Sequence, residues 1–525
     1  MSKIPSPFVD ELPSQYADRL GNAYAKSSDA KDKKVKGQFF TPLEIGHLMA
    51  SMVNCQKSTL KILDPGSGVG LLTCCMVEAL GSKLSSLKSI EITVFETDDK
   101  LIPFLRDALS YLQSFWKSKS IEISYVIHQE DFILHFADQL RDESELFIQE
   151  RGRYDIVISN PPYFKLPIAD PRAIAAKVVV NGHPNIYAIF MALGAKLLTS
   201  DGELVFITPR SYASGGYFRQ FRNYFFDKIT IERIHLFVSR KDTFAKDKVL
   251  QETVILKGRK KSKDESEIQI TSSAGIKDLD HLQAKTHPYR EILDQKSKDK
   301  ILYLPTSQNE EEILLKLKQW TFKLSDFGIK VSTGPVVAFR SRLQIREQFE
   351  NGTVFLAPLY WLHNVTQMVL TWPITKPEKG QYILINEETS SILLPSKNYV
   401  FLRRFSSKDD KNRLVAAPYF GSEEKEKYVG VENKLNYIYR PSGELSKEEV
   451  LGIATILNST AFDTLFRVFN GNVNVSATEL KGMPFPSIEQ IIEIGTEFLN
   501  KGDFTKEKID LVINNYFETE VVHET

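Results

Sequence analysis

The sequence of 525 residues contains only three cysteines. Cys74 and Cys75 are adjacent within an apolar helical pattern, and Cys55 stands apart from them. An odd set of this kind offers neither a disulfide framework nor the paired spacing of a zinc site. We therefore expect all three to be small core residues in a reducing compartment.

The chain also lacks an apolar run long enough to cross a bilayer. Residues 1–20 carry Asp10, Glu11 and Asp18 without an apolar core, which is not the pattern of a signal peptide. We expect a cytoplasmic location and no membrane partner.

An excess of charge is missing as well, since 67 Lys and Arg residues balance 67 Asp and Glu residues. Affinity for a polyanion would therefore have to come from local basic surfaces. An apolar fraction of 42% and a charged fraction of 26% are typical of a globular protein. The length suits two or three domains.

The most informative stretch that is present is residues 154–163. An apolar, β-branched run reads as a buried strand and ends in Asn160, Pro161, Pro162 and Tyr163. Neither proline can donate a backbone hydrogen bond, and both disfavour a helical conformation in the residue before them. The strand should therefore stop at Asn160, on the edge of the sheet where open α/β folds bind ligands.

This ending suits chemistry on an exocyclic amine of a nucleobase, which is a poor nucleophile because its lone pair is delocalised into the ring. The Asn160 amide oxygen and the Pro161 carbonyl could accept both N–H groups and localise the lone pair. Tyr163 could stack on a base taken out of a duplex. The competing interpretation is a buried strand followed by a proline turn.

Three earlier predicted strands each lead into a carboxylate, namely Asp64, Glu96 and Asp131. Asp64 opens a loop with Gly66, Ser67 and Gly68, whose small residues let backbone approach a ligand closely. Glu96 could accept both hydroxyls of a ribose. Considered singly, each is more simply a loop carboxylate or a tight turn.

Asp131 could accept a hydrogen bond from an adenine amino group while Phe132 packs on the ring. The alternative interpretation is that Asp131 is a loop carboxylate and Phe132 a core aromatic. The order Asp64, Glu96, Asp131, Asn160 at successive strand ends predicts a doubly wound βαβ sheet.

A helix is predicted upstream, from Leu43 to about Val53. Thr41 would supply a hydroxyl N-cap and Pro42 the first helical residue. The position before the glycine loop makes this segment a candidate lid over a cofactor.

The motifs Gly-Gln-Phe-Phe-Thr-Pro (37–42), Asp-Pro-Gly-Ser-Gly-Val-Gly (64–70) and Asn-Pro-Pro-Tyr (160–163) occur in this order. Together with Glu96, Asp131 and Phe132 they resemble the gamma class of DNA adenine-N6 methyltransferases of restriction–modification systems, which includes the Taq and PstI types. The resemblance implies S-adenosylmethionine as cofactor, a prokaryotic source and no metal.

The resemblance also implies residue roles. The catalytic set would be Asn160, Pro161, Pro162, Tyr163 and Phe244. The cofactor-binding set would be Phe39, Thr41, Pro42, Asp64, Gly66, Ser67, Gly68, Glu96, Asp131, Phe132 and Asn160.

The implied fold is α/β, a doubly wound Rossmann-like methyltransferase sheet with an antiparallel last hairpin, followed by a C-terminal α+β domain. We expect an N-terminal helical arm (1–36), a catalytic domain (37–262), a charged linker (263–302) and a target-recognition domain (303–525). Double-stranded DNA would be the partner of a monomer without an obligate protein partner.

Two alternatives remain open. The motif Asn-Pro-Pro-Tyr also serves RNA methylation and protein-glutamine methylation, although the large C-terminal region would be superfluous for a protein-glutamine enzyme. A DNA-binding module with a degenerate methyltransferase core is disfavoured because the acidic and glycine positions are intact.

Overall fold

The computed structural model describes residues 4–27, 40–140, 153–237, 253–261, 267–293, 295, 297–305, 307–347, 355–374, 376, 379–406, 410–421, 426–469 and 475–518. The chain divides into two compact units, Met1–Thr306 and Ser307–Thr525. Within the described part of the chain, no helix is long and apolar enough to span a membrane.

The first unit alternates strands and helices over most of its length. Its elements are α1 (Pro13–Ser27), α2 (Leu43–Ser51), β1 (Thr59–Pro65), α3 (Leu71–Lys83), β2 (Ser89–Phe95), α4 (Ile102–Lys117), β3 (Glu122–His128), α5 (Phe132–His135), β4 (Tyr154–Ser159), α6 (Pro171–Ala175), α7 (Ile186–Leu197), β5 (Leu198–Pro209), α8 (Arg219–Phe226), β6 (Ile229–Phe237), β7 (Thr253–Lys260), β8 (Glu267–Ser273), β9 (Lys285–Pro288) and α9 (Tyr289–Ile292).

These strands form one sheet in the order β3-β2-β1-β4-β5-β7-β6-β8-β9. The first five are parallel, and β7 pairs antiparallel with both β5 and β6. This order confirms the predicted doubly wound sheet with its antiparallel hairpin. The chain reverses direction across the sheet between β1 and β4, and that switch point lies where such folds bind ligands.

Strand β4 is buried on both faces, which explains its continuous apolar sequence. Ile156 and Ile158 join the core beneath α1 to α4, whereas Val157 joins the core beneath α7 and α8. The strand ends at Ser159, immediately before Asn160 and the two prolines. The strand end is therefore where the sequence predicts it.

Two regions of the first unit differ from the sequence-based domain boundaries. Strands β8 and β9 extend the same sheet, with β8 parallel to β6, so much of the expected linker 263–302 belongs to the fold. Ile268 and Ile270 are buried on β8. At the other end, α1 buries Tyr16, Leu20 and Tyr24 in the core instead of forming a separate arm.

The second unit combines short strands with C-terminal helices, as expected for an α+β domain. Its elements are α10 (Gln308–Leu317), β10 (Lys330–Thr333), β11 (Ile345–Arg346), β12 (Leu356–Tyr360), β13 (Val365–Thr366), β14 (Val369–Leu370), β15 (Tyr382–Leu384), β16 (Leu393–Pro395), β17 (Tyr399–Arg403), β18 (Ala416–Tyr419), β19 (Tyr428–Val431), β20 (Leu435–Tyr439), α11 (Lys447–Asn458), α12 (Thr460–Phe469), α13 (Ala477–Lys481), α14 (Ile488–Lys501) and α15 (Lys506–Glu518).

The strands of the second unit form sheets of four, five and two strands, in the orders β10-β20-β17-β18, β11-β15-β12-β19-β16 and β13-β14. Apart from the parallel pair β12 and β19, the pairings within these sheets are antiparallel. The described strands of this unit thus form sheets of their own.

Candidate active site

The adjacent ends of β1 and β4 bring Asp64 and Asn160 to the switch point of the sheet. Strands β1 and β4 pair in parallel. The Ser159 hydroxyl at the end of β4 donates to the Pro65 carbonyl at the end of β1, over 2.7 Å. This bond fixes the two strand ends to each other beneath the candidate site.

The Asn160 side chain is oriented from both sides. Its Nδ2 donates to the Thr41 hydroxyl over 3.0 Å, and its Oδ1 accepts from the Tyr163 hydroxyl over 2.7 Å. Because a hydroxyl on Nδ2 must accept and one on Oδ1 must donate, the two bonds together define which way the amide faces. The half-buried amide is thus preoriented.

The predicted cap role of Thr41 is wrong. Helix α2 begins at Leu43, Pro42 takes the N-cap position in an extended conformation, and no side chain caps the helix. Thr41 is buried and directs its hydroxyl to Asn160 instead. The Thr41 hydroxyl thus bonds to a residue distant in sequence and not to the nearby end of α2.

Tyr163 directs its hydroxyl inward while its ring stays partly exposed. The hydroxyl lies 2.7 Å from Asn160 Oδ1 and 3.1 Å from the Ile207 carbonyl oxygen. Burial raises the pKa of Tyr163 well above its ordinary value, so the group is a protonated donor. The Tyr187 ring packs edge-on against it, with centroids 6.3 Å apart.

Replacing Thr41 with Val should lower the turnover number about tenfold, because the amide of Asn160 loses the partner that orients it. Thr41→Ser keeps the hydroxyl and should retain near-normal turnover. The measurement is steady-state turnover, with separate kcat and KM values for both variants. Equal losses in Thr41→Val and Thr41→Ser would show that packing, not the hydrogen bond, explains the effect.

The glycine loop after β1 uses backbone conformations that favour glycine. Gly66, Gly68 and Gly70 have φ values of 73°, 58° and 82°. The amides of Gly66 and Ser67 donate to the Phe95 carbonyl over 2.9 and 3.0 Å. The loop is therefore fastened to the end of β2.

Asp64 is fully buried and only partly satisfied. Its Oδ2 accepts from the Thr73 hydroxyl over 2.7 Å, whereas Oδ1 has no hydrogen-bond partner among the described residues. Burial raises the pKa of Asp64 to about 7, against the opposing effect of the Thr73 bond. A cationic group placed at Oδ1 would relieve this penalty.

Glu96 follows β2 and is held by three backbone amides. Gly68 N–H donates to Oε2 over 3.0 Å, while Thr97 and Asp98 donate to Oε1 over 2.8 and 2.9 Å. Burial raises the pKa of Glu96, and these bonds act in the opposite direction. The carboxylate is thereby fixed beside the glycine loop, where a ribose contact stays a prediction.

Asp131 and Phe132 lie at the start of α5. Asp131 Oδ1 caps the helix by accepting from two backbone amides, and Oδ2 lies 3.5 Å from Arg172 Nη1. Phe132 is 2% exposed and packs against Phe190 with ring centroids 5.0 Å apart. Only one oxygen of Asp131 is thus used by the cap, and Phe132 is part of the core.

Sequence reasoning missed four residues around these groups. Phe40 and Phe190 lie within van der Waals reach of Gly68 and Gly66, where a side chain would begin. The Tyr24 hydroxyl of α1 donates to Asp98 over 3.0 Å. The sequence predicted a helical arm here but not its packing, which the helical spacing of Tyr16, Leu20 and Tyr24 indicates. Arg172 gave no comparable signal. The predicted residues Phe39 and Phe244 lie outside the described residues.

Comparison with known proteins adds two relatives that match nearly the whole chain. Type II methyltransferase M.PstI of Providencia stuartii is 32% identical over 498 residues, which cover 95% of this chain and 96% of the relative. Type II methyltransferase M.BsuBI of Bacillus subtilis is 35% identical over 467 residues, which cover 89% of this chain and 90% of the relative.

Two other matches are more local. The model of the Eco57I restriction-modification methylase family matches residues 78–244. The tRNA1(Val) (adenine(37)-N6)-methyltransferase of Vibrio campbellii is 27% identical over 167 residues, or 31% of this chain and 56% of that enzyme. The family model spans the ends of β2, β3 and β4.

Proposed function

Because the chain belongs to the type II methyltransferases of restriction–modification systems, we propose that it methylates N6 of an adenine in double-stranded DNA. Methylation by such an enzyme protects a DNA site from the cognate restriction enzyme. The preoriented Asn160 amide at the switch point of the sheet is the observation that supports an amino group as the target of methylation.

S-Adenosylmethionine is the methyl donor, and when bound it supplies a methyl group activated by a sulfonium centre. The residues present fit this group. The unpartnered Oδ1 of buried Asp64 suits an ammonium group, and Glu96 is fixed beside a loop that admits a close ligand. We assign Asp64 to the methionine part and Glu96 to the ribose, with Asp131 at the adenine.

Asn160 would act on the target amine by accepting one N–H at Oδ1 while the Pro161 carbonyl accepts the other. An amide oxygen has two lone pairs, so Oδ1 can take this bond beside Tyr163. The amine nitrogen gains the methyl group and releases a proton to water. Positioning and lone-pair orientation supply the catalysis, so these residues need no strong general base.

Cofactor affinity should weaken below neutral pH. Asp64 has a folded pKa of about 7 before the cofactor binds, and pairing with an ammonium group requires the ionised form. Its raised pKa means that the free protein loses stability as pH rises from about 4 to 7. On binding, ionised Asp64 pairs with the ammonium group of the cofactor. Because most of Asp64 is protonated at pH 6 and ionised at pH 8, the dissociation constant of the cofactor should be about tenfold higher at pH 6.

Calorimetric titration with S-adenosylmethionine at both pH values checks this dependence. Asp64→Asn should bind weakly at both and lose the pH dependence. A wild-type dissociation constant that does not change between pH 6 and 8 would exclude Asp64 as the group that pairs with the ammonium.

The second unit is proposed to recognise the DNA site. Burial lowers the pKa of His363, and the positive charges of four cations of this unit lower it further. We call these four the basic cluster: Lys376, Lys379, Arg403 and Lys434. A concentration of positive charge in a chain of zero net charge is the local surface that phosphate contacts require.

Replacing both Lys376 and Lys434 with Gln should weaken DNA binding about tenfold at low salt. The slope of log affinity against log salt should fall by about two, since two phosphate contacts are lost. Fluorescence anisotropy on a labelled duplex over a salt series measures both quantities. Lys316→Gln, on an exposed position of α10 in the same unit, is the matched control and should change neither.

The extent of the matches favours DNA over the RNA alternative. The tRNA enzyme matches 31% of the chain, whereas the type II enzymes match 95% and 89%. Incubation with methyl-labelled cofactor and separate pools of duplex DNA, tRNA and protein tests the choice. We expect label on N6 of adenine in DNA; label only in RNA or protein, or on cytosine, would refute the proposal.

A further inference from the structure

A cluster of metal-ligating side chains lies beside the proposed adenine end of the cofactor pocket. His128 is the last residue of β3, Glu130 follows two positions later, and His135 is the last residue of α5. One ligand atom from each of the three lies within 4.8 Å of the other two. No role in the proposed reaction uses any of these side chains.

The carboxylate stands between the two imidazoles. His128 Nδ1 is 3.0 Å from Glu130 Oε1, and His135 Nδ1 is 3.3 Å from Oε2. Ligands bound at about 2.0–2.1 Å in a tetrahedral site have neighbouring ligand atoms about 3.3 Å apart. Each imidazole nitrogen therefore already lies at about this spacing from a carboxylate oxygen, and the three ligand atoms lie within 4.8 Å of one another.

Aromatic packing holds both imidazoles in place. The His128 ring stacks on buried Phe95 with centroids 4.6 Å apart, and the His135 ring meets the same phenylalanine edge-on at 5.0 Å. Phe136 contacts His135 at 4.6 Å. Rings fixed in this way lose little rotational freedom when they bind a ligand.

The donor set selects the class of cation. Two imidazole nitrogens with one carboxylate suit zinc, cobalt or nickel, whereas magnesium and calcium prefer oxygen alone. The side chains of His128 and His135 are about 30% exposed and that of Glu130 is half exposed, so water can reach the remaining positions. We propose that His128, Glu130 and His135 bind one divalent cation of this class, with water completing its coordination.

Such a cation would brace the loop that presents Asp131 and Phe132. Both residues lie between Glu130 and His135 in the chain, and Asp131 caps the short helix that carries His135. Binding of the cation should therefore raise affinity for S-adenosylmethionine, about fivefold, and the cofactor should raise affinity for the cation equally. This coupling rests on the proposed function, whereas cation binding itself does not.

The test uses the full chain without a histidine tag, freed of metal with a chelator and titrated with Co²⁺ in the absence of cofactor and DNA. We expect visible absorption bands that saturate at one equivalent and disappear when Zn²⁺ is added. His128→Asn and His135→Asn should each lower the affinity at least about tenfold. His47→Asn, which alters an exposed histidine paired with Glu78, is the control and should bind normally.

Absence of one-equivalent binding, or equal binding by a His128→Asn/His135→Asn double variant, would overturn the site. If a variant misfolds, X-ray absorption of the zinc-loaded wild type decides, because two imidazole ligands must appear in its spectrum. Methyl transfer to DNA is assayed separately, so failure of the cation site and failure of the proposed function give different results.

Discussion

Asn160→Ala is expected to lower the rate of methyl transfer at least about 100-fold, the scale of losing one preorganised polar contact to the reacting group. Its Oδ1 is the acceptor assigned to the target amine, and Thr41 and Tyr163 already orient it. Cofactor affinity should change less than about threefold, because Asp64 and Glu96, the residues assigned to the cofactor, are held by Thr73 and by backbone amides.

Single-turnover transfer from labelled S-adenosylmethionine measures the rate, and calorimetry measures cofactor binding. Asn54→Ala is the matched control and should transfer methyl groups normally. Asn54 is exposed and precedes β1, so it lies at the start of that strand and not at the strand ends that hold Asn160. Asn160 was also expected from sequence to touch the cofactor. A large loss of cofactor affinity together with normal single-turnover chemistry would support that role and reject the catalytic one.

Glu203→Ala is expected to lower the free energy of unfolding by about 3–5 kcal/mol, because it breaks a buried ion network. Glu203 and Lys257 are both fully buried, with Oε1 of Glu203 3.4 Å from the ammonium and 2.6 Å from Arg259. Its Oε2 accepts from the backbone N–H of Asn54 over 2.8 Å. Glu232 still pairs with Lys257 and Arg259, but one buried acceptor of each cation is lost.

Urea denaturation followed by circular dichroism measures the loss. Glu91→Ala is the control, since Glu91 pairs with Lys61 at 2.9 Å on the same sheet but both side chains are about half exposed. An exposed pair contributes at most about 1 kcal/mol. If the two variants lose equal stability, burial of the network does not matter and the prediction is wrong.

The sequence predicted the parts of the fold that local pattern determines. Asp64, Glu96 and Asn160 stand at or directly after the last residues of β1, β2 and β4, because each comes at the end of a short apolar run that a glycine loop, polar residues or prolines follow. The doubly wound order then follows from the alternation of such runs with helices. Their roles toward cofactor and target remain predictions that the variants above address.

Tertiary contacts decided what the sequence did not reveal. The hydroxyl of Thr41 could cap a helix locally, and only the fold shows that Asn160 takes it. Strands β8 and β9 follow a lysine-rich stretch that resembles a linker, yet alternating Ile268 and Ile270 find a partner in β6. Periodicity identifies an apolar face but not the distant strand that covers it.

The bond from Tyr24 to Asp98 has a consequence for shortening the chain. It joins α1 to Asp98, 74 positions away in the loop that carries Glu96, and Gly21 lies close against Val69 of the glycine loop. A version trimmed to begin after Ser27 would therefore expose the back of that loop to water. Engineering of this enzyme should preserve its first helix, even though no assigned catalytic residue lies there.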